Sequence, residues 1–321
     1  MRAIVYHRYG PPGVLRCEDI EKPDPGDDEV LIKVRAASVN PRDWHCMRGS
    51  PYIARLQFGL RKPKAPWLGV DVAGEVEAAG GKVTGLKPGD EVFGVCHGAF
   101  AEYACAAESA LVLKPDNVTF EQAASVPVAA FTALQALRDK GRLQPGQTVL
   151  INGAAGGVGT FAVQIAKSFG ADVTGVCGTR NVERVRSIGA DWILDYTRED
   201  FTEGGQRYDL ILDCVGNHSL SACRRLLNPQ GIYIIVGAPD GRWISPLPRV
   251  LQALVMSRLG SQSLVMLIAK RSQEDLIILR DLMAAGKVIP VIDRGYKLEE
   301  VPEAIRYLEA GHARGKVIIT V

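Results

Sequence analysis

Cysteine is scarce in this chain, and what there is lacks pattern. The seven residues, Cys17, Cys46, Cys96, Cys105, Cys177, Cys214 and Cys223, are odd in number, and no two form a C-x-x-C pair. That excludes a disulfide framework and makes a reducing, cytoplasmic location the expectation. An excess of one charge is missing too. Lys and Arg number 38 against 36 Asp and Glu, a formal net charge of +2 over 321 residues. Nucleic acid as the main partner is therefore not expected, because phosphate recognition needs a concentrated basic face. No apolar run reaches the ~18 residues that span a bilayer. The greasiest stretch, Val250–Ile268, is interrupted by Arg258. Met1 leads almost at once into the strand-like Ala3-Ile4-Val5-Tyr6, so no signal peptide is expected. Internal repeats and low-complexity segments are absent. What is present, 47% hydrophobic and 23% charged residues, is a globular composition long enough for two domains.

Two halves differ in period. Up to about Asp116 short apolar runs, such as Val30–Val34, Val72–Val76, Asp90–Gly94 and Leu111–Leu113, are broken by Gly81, Gly85 and Pro88-Gly89. This spacing predicts an all-β unit with tight turns. Beyond it, strands and helices alternate. Thr148–Ile151, Asp172–Val176, Trp192–Leu194, Leu210–Leu212 and Ile232–Val236 read as strands, with helices over 157–169 and 181–188. Alternation of this kind predicts a parallel sheet covered on both faces. A helix over Ser272–Ala285, the apolar run Val288–Val291, a short helix over Val301–Glu309 and a terminal strand Lys316–Val321 complete the chain.

The most informative segment is Ile151-Asn152-Gly153-Ala154-Ala155-Gly156-Gly157-Val158-Gly159, between a predicted strand and a predicted helix. Glycines at 153, 156 and 159 remove side chains where the chain turns tightly and approaches a pyrophosphate. The helix start offers free N–H groups and positive dipole density to phosphate. A lone glycine triplet is weak; the strand–turn–helix setting strengthens it. Gly153, Ala155, Gly156, Gly157, Val158 and Gly159 are thus candidate dinucleotide contacts.

The second strand selects the cofactor. NAD-binding folds place Asp or Glu near its end, on the ribose 2′-hydroxyl. Here it ends Val176-Cys177-Gly178-Thr179-Arg180, without a carboxylate. Gly178, Thr179 and Arg180 suit a 2′-phosphate, Arg180 offering a bidentate fork. Tyr196 is placed near the adenine or the same phosphate. NADPH is the expected cofactor. At the carboxyl ends of later strands, Val215, Gly216, Val236, Gly237 and Ala238 are candidate nicotinamide-side contacts.

The run Ala154–Gly159 resembles the fingerprint of zinc-free quinone oxidoreductases, in the medium-chain dehydrogenase/reductase superfamily. Asn40-Pro41-Arg42-Asp43, Gly69–Gly74, Lys87–Val92, Gly98–Tyr103 and Arg314-Gly315-Lys316-Val317 are similar to family motifs and stand in family order. The resemblance implies a GroES-like β-barrel domain (1–124 and 262–321) and a Rossmann doubly wound parallel-sheet domain (125–261), an α/β architecture with an interdomain cleft. It also implies a homodimer, Thr132 near the cofactor, Asn40 on the nicotinamide ribose or the substrate oxygen, and Lys316 reaching the cofactor.

Zinc-dependent relatives ligate catalytic zinc through a Cys near position 40, a His in Gly-His-Glu and a third Cys or Asp. Here Asn40, Gly69-Val70-Asp71 and Val128-Ala129-Ala130 occupy those places, and only Cys96 and Cys105 fall where four structural-zinc cysteines would be. No metal is expected. Without a Lewis acid, the substrates expected are quinones and α,β-unsaturated carbonyls, whose conjugation spreads the charge that hydride brings. Tyr52, His45 or solvent supplies the proton. Two alternatives stand beside this reading. One is an enoyl-thioester reductase holding an acyl chain along Leu247–Leu267. The other is an NADPH-binding protein with a structural or nucleic-acid-binding role.

Overall fold

A computed structural model describes residues 1–237, 247–258 and 260–321. The chain forms two units: Met1–Phe131 with Arg271–Gly286 and Pro290–Val321, and Thr132–Lys270 with Lys287–Ile289.

The first unit is built on strands β1 (Arg2–Val5), β2 (Arg16–Asp19), β3 (Glu29–Val39), β4 (Asp71–Ala79), β5 (Glu91–Val95), β6 (Tyr103–Ala107) and β7 (Leu111–Leu113). Two later strands, β14 (Ile292–Lys297) and β15 (Lys316–Thr320), join them in the order β14-β15-β3-β4-β5-β7, while β6 also pairs with β3. β3 is the hub because its apolar positions are closed on both sides: Val30, Ile32 and Val34 are buried and pack with Val72, Val92 and Val317. Its approach to β4 demands a residue without a side chain, since a Cβ at Gly74 would lie 2.3 Å from the Lys33 carbonyl. Helix α1 (Pro41–Arg48) follows β3 directly. Pro41 suits the first helical position, and Asp43 turns back to accept the Asn40 N–H at 2.8 Å. Short helices α2 (Arg55–Phe58) and α3 (Phe120–Ala124) precede α4 (Pro127–Gln135).

The second unit is a six-stranded sheet of β8 (Thr148–Asn152), β9 (Asp172–Cys177), β10 (Trp192–Asp195), β11 (Tyr208–Asp213), β12 (Leu227–Ile235) and β13 (Ser263–Met266). The order is β10-β9-β8-β11-β12-β13, and every pairing is parallel. Helices α5 (Gly157–Ser168), α6 (Val182–Ser187), α7 (Leu220–Arg225) and α8 (Leu247–Arg258) belong to it. The order reverses beside β8, so the crevice beyond the ends of β8 and β11 is the topological switch point where such sheets take ligands. Helices α9 (Gln273–Ala284) and α10 (Val301–Glu309) return to the first unit.

The expected boundaries need correction. Ser263–Met266 pairs in parallel with β12, which keeps the chain in the second unit to Lys270. Residues 125–131 stay in the first unit, where the Val128 N–H donates to Asp71 at 3.0 Å. The apolar run Val288–Val291 lies in neither a helix nor a strand. Ile289 is instead held by Gln164, whose amide exchanges hydrogen bonds of 2.7 and 3.0 Å with its backbone.

Candidate active site

In the second unit the glycine turn lies between β8 and α5. Gly153 has φ +85°, a conformation that favours glycine. A Cβ at residue 159 would stand 2.1 Å from the Gly153 carbonyl, so Gly159 is a packing requirement. Gly156 is different. A Cβ there meets only the Gly153 carbonyl, at 3.4 Å. Packing therefore does not require that glycine; the space in front of it suits a ligand. The first turn of α5 begins with Thr160 N–H donating to Gly156 at 3.0 Å, which leaves the N–H groups of Gly157, Val158 and Gly159 ahead of the helix ladder. Ala155 is buried beneath this turn.

Two strand ends are locked together beside it. Asp213, at the end of β11, is almost fully buried. One carboxylate oxygen accepts from Asn152 Nδ2 at 2.8 Å, Val215 N–H at 3.1 Å and Gly216 N–H at 2.8 Å. The other accepts from the Tyr233 hydroxyl and from Arg249 Nη2 at 3.3 Å. Val236 and Gly237 donate their N–H groups to the Asp213 carbonyl. A Cβ at Gly237 would lie 2.2 Å from the Cys214 carbonyl, so the two turns touch backbone to backbone. Val215, Gly216, Val236 and Gly237 are thereby brought together as expected positions; Ala238 lies outside the described residues. Asp213 itself escaped sequence reasoning, although its place one residue past the apolar run Leu210–Leu212 was a usable signal.

At the end of β9, Gly178, Thr179, Arg180 and Tyr196 do gather. The Tyr196 ring covers Gly178, with its hydroxyl 3.0 Å from where a Cβ would sit. Thr179 needs correction. Its hydroxyl donates to Asp195 at 2.6 Å, so its proton is not free for a phosphate. Thr197 also donates to Asp195, at 2.8 Å. The Thr179 and Thr197 hydrogen bonds hold the Asp195 carboxyl below its ordinary range. Arg180 is left as the exposed cation of this group. Nearby, Asn181 Oδ1 is buried without a partner in the protein, an atom suited to a ligand donor.

The first unit holds a buried polar cluster. Lys316 Nζ donates to Asn40 Oδ1 at 2.7 Å and lies 3.5 Å from Asp71. Asp71 also accepts from Asn40 Nδ2 at 2.8 Å and from the Ser38 hydroxyl at 2.7 Å. Burial lowers the Lys316 pKa, although Asp71 and Asp43 oppose that shift. Burial likewise pushes Asp43 up to about 6, against the N–H groups of Asn40 and Gly69. Asn40 and Lys316, expected at the cofactor, have these side-chain atoms tied to each other and to Asp71. Both side chains are buried, and each satisfies the other. His45 is half-buried, stacked on Trp44, and its Nδ1 donates to the Ser50 carbonyl at 2.8 Å. Tyr52 lies beneath the Arg55 guanidinium, 4.6 Å from its ring centre. Thr132, on α4, is half-buried in the second unit.

The donor set does not suit zinc. Asn40 is spent on an ammonium, Val70 has no donor atom, and Lys316 already brings positive charge to Asp71. Among the described residues no three His, Cys, Asp or Glu side chains gather in a metal-holding arrangement.

Residues 26–116 match the alcohol dehydrogenase GroES-like domain family, and residues 188–319 the zinc-binding dehydrogenase family. The chain is 34% identical to a chloroplast envelope quinone oxidoreductase homolog of Arabidopsis thaliana, over 99% of this chain and 98% of that protein. The chain belongs to the quinone oxidoreductase family. It is an oxidoreductase of the medium-chain dehydrogenase/reductase superfamily. Another relative, 2-methylene-furan-3-one reductase of Solanum lycopersicum, is 35% identical over 99% of this chain and 79% of its own length. A mycobacterial protein solved in complex with NADPH superposes with a TM-score of 0.84 at 29% identity, covering the whole of both chains. This quinone oxidoreductase-family chain thus carries a buried lysine–aspartate–asparagine cluster of Lys316, Asp71 and Asn40 in its GroES-like unit.

Proposed function

We propose that this protein reduces quinones and α,β-unsaturated carbonyls with NADPH and without zinc. The observation that carries the reading is the phosphate cradle at Gly156 together with the β9 end, where the Asp195 carboxylate is occupied by two threonines. A dinucleotide bearing a 2′-phosphate meets Arg180 and the Tyr196 hydroxyl there, while Asp195 is turned to Thr179 and Thr197 rather than offered to a ribose 2′-hydroxyl. Relatives named for quinone and enone reduction, and a neighbour solved with NADPH, support the same choice.

When bound, the reduced nicotinamide supplies a hydride to the electron-poor carbon of the conjugated substrate. The chain's own share is placement. Gly157, Val158 and Gly159 bind the pyrophosphate with backbone N–H groups. Asp213 fixes the turns of residues 215–216 and 236–237, and water exclusion completes the site. The proton comes from His45, from the Tyr52 hydroxyl, or from solvent. Replacing Tyr52 with Phe tests its part: an unchanged turnover number removes Tyr52 as donor.

Steady-state oxidation of NADPH and NADH with a small quinone, a short enone and an enoyl-thioester series tests the whole reading. Turnover of the first two with NADPH is expected. Turnover confined to thioesters moves the assignment to an enoyl-thioester reductase, and none with any substrate moves it to a cofactor-binding protein. One equivalent of zinc per chain in the active enzyme defeats the zinc-free chemistry.

A further inference from the structure

Residues 44–70 contain no Asp or Glu, but five Lys and Arg, in a chain whose charges otherwise nearly balance. Two of the five are accounted for. Arg48 pairs with Glu309, and Arg55 donates to the Gly49 carbonyl while covering the Tyr9 and Tyr52 rings. Arg61, Lys62 and Lys64 are exposed and have no ion-pair partner among the described residues. Apolar side chains accompany them: Ile53 is 45% exposed, Leu56 69% and Leu60 68%.

This exposure is built rather than slack. The Tyr9 hydroxyl donates to the Gly59 carbonyl at 2.6 Å, and Phe58 packs on the core. The Lys64 N–H donates to the Phe58 carbonyl at 2.8 Å, closing the loop from 58 to 64. Gly59 has φ +122°, and a Cβ there would meet the Lys62 carbonyl at 2.1 Å. The root of the loop is thus anchored, and its tip presents Leu60, Arg61 and Lys62 outward. Core packing has no use for such a tip, and a neutral partner would leave its three cations uncompensated.

We propose that the 53–64 segment docks this protein on the surface of an anionic bilayer. The exposed leucines enter the headgroup region, and Arg61, Lys62 and Lys64 lie against lipid phosphates. No helix among the described residues is long and apolar enough to cross a membrane, so the contact is peripheral. The occupant follows from charge complementarity: cations beside isolated apolar side chains match an interface that offers phosphate above hydrocarbon.

Vesicle co-flotation of the full-length protein tests this, with phosphatidylcholine alone and with phosphatidylglycerol added. The wild type is expected to float with the anionic vesicles only and to be released by salt. Each cation contributes about a fivefold gain in partitioning, so the triple variant Arg61→Gln, Lys62→Gln, Lys64→Gln should lose on the order of 100-fold. Leu60→Asp should lose binding as well, with an unchanged melting temperature in both variants. A wild type that stays unbound overturns the proposal. So does equal binding to neutral vesicles, or binding that survives the triple substitution. If Leu60→Asp instead splits a dimer seen by light scattering, while vesicles capture neither protein, the surface is a subunit contact and the proposal fails.

Discussion

Replacing Lys316 with Met tests the buried cluster of the first unit most directly. The substitution keeps much of the side-chain volume and removes the ammonium. Asp71, wholly buried, then loses its nearest cation at 3.5 Å, and Asn40 Oδ1 loses its donor at 2.7 Å. Breaking a buried pair from one side costs about 3–5 kcal/mol. The lower end applies here, because burial already lowers the Lys316 pKa, so removing the ammonium also relieves a desolvation cost. About 3 kcal/mol corresponds to a fall in Tm of roughly 6–12 °C for a unit of this size. The double variant Asp71→Asn, Lys316→Met should be less damaged than the sum of its parts. Without Lys316 the Asn40 amide is free to flip and accept from the amide that replaces the Asp71 carboxylate, while the Val128 N–H keeps an oxygen acceptor. A coupling of about 2 kcal/mol is expected. Calorimetry of the wild type, both single variants and the double variant measures it. Strict additivity, or a single-variant loss below about 0.5 kcal/mol, would refute the claim that ammonium and carboxylate form one unit.

Three further outcomes follow from the cofactor turn and from the buried carboxyl. Gly156→Val should weaken NADPH binding at least tenfold, measured by cofactor fluorescence, with little change in Tm; Gly159→Ala should lower stability by about 2 kcal/mol or more, because its Cβ would meet the Gly153 carbonyl at 2.1 Å. Arg180→Gln should raise the KM for NADPH by about tenfold or more, the worth of a charge-assisted hydrogen bond, and leave that for NADH unchanged. Asp43, at about 6, binds its proton more tightly folded than unfolded, so its contribution to stability is present at acid pH and is lost as pH rises from its ordinary 3.8 to about 6. Urea unfolding of the wild type and of Asp43→Asn across that window should show the pH slope in the wild type alone.

The glycine turn was readable because its signal is local: a strand, three glycines and a helix within a dozen residues. The parallel sheet was readable for the same reason, each strand being a short continuous apolar run. Where the signal was weak, the structure had to supply it. β14, Ile292-Asp-Arg-Gly-Tyr-Lys297, is polar and half-exposed, and only its pairing with β15 makes it a strand. β13 was hidden in a long apolar stretch whose period does not separate helix from strand. The buried polar clusters were least legible. Asn40 and Lys316 are 276 positions apart, and Asn152 and Asp213 are 61 apart. No window of sequence contains either pair. Thr179 was misread because a hydroxyl at the right place was counted as a free donor, while its acceptor, Asp195, stood 16 residues on.

Asp213 has a kinetic consequence. One carboxylate collects donors from the end of β8, from the turn after β11, from Tyr233 and from Arg249 on α8. The two turns are therefore set before any ligand arrives. Association then demands no ordering of these two turns, so the entropy of shaping them is charged to folding rather than to each catalytic cycle. An enzyme that must release and rebind its cofactor at every turnover gains most from that arrangement, because differences in affinity then fall mainly on the exit rate.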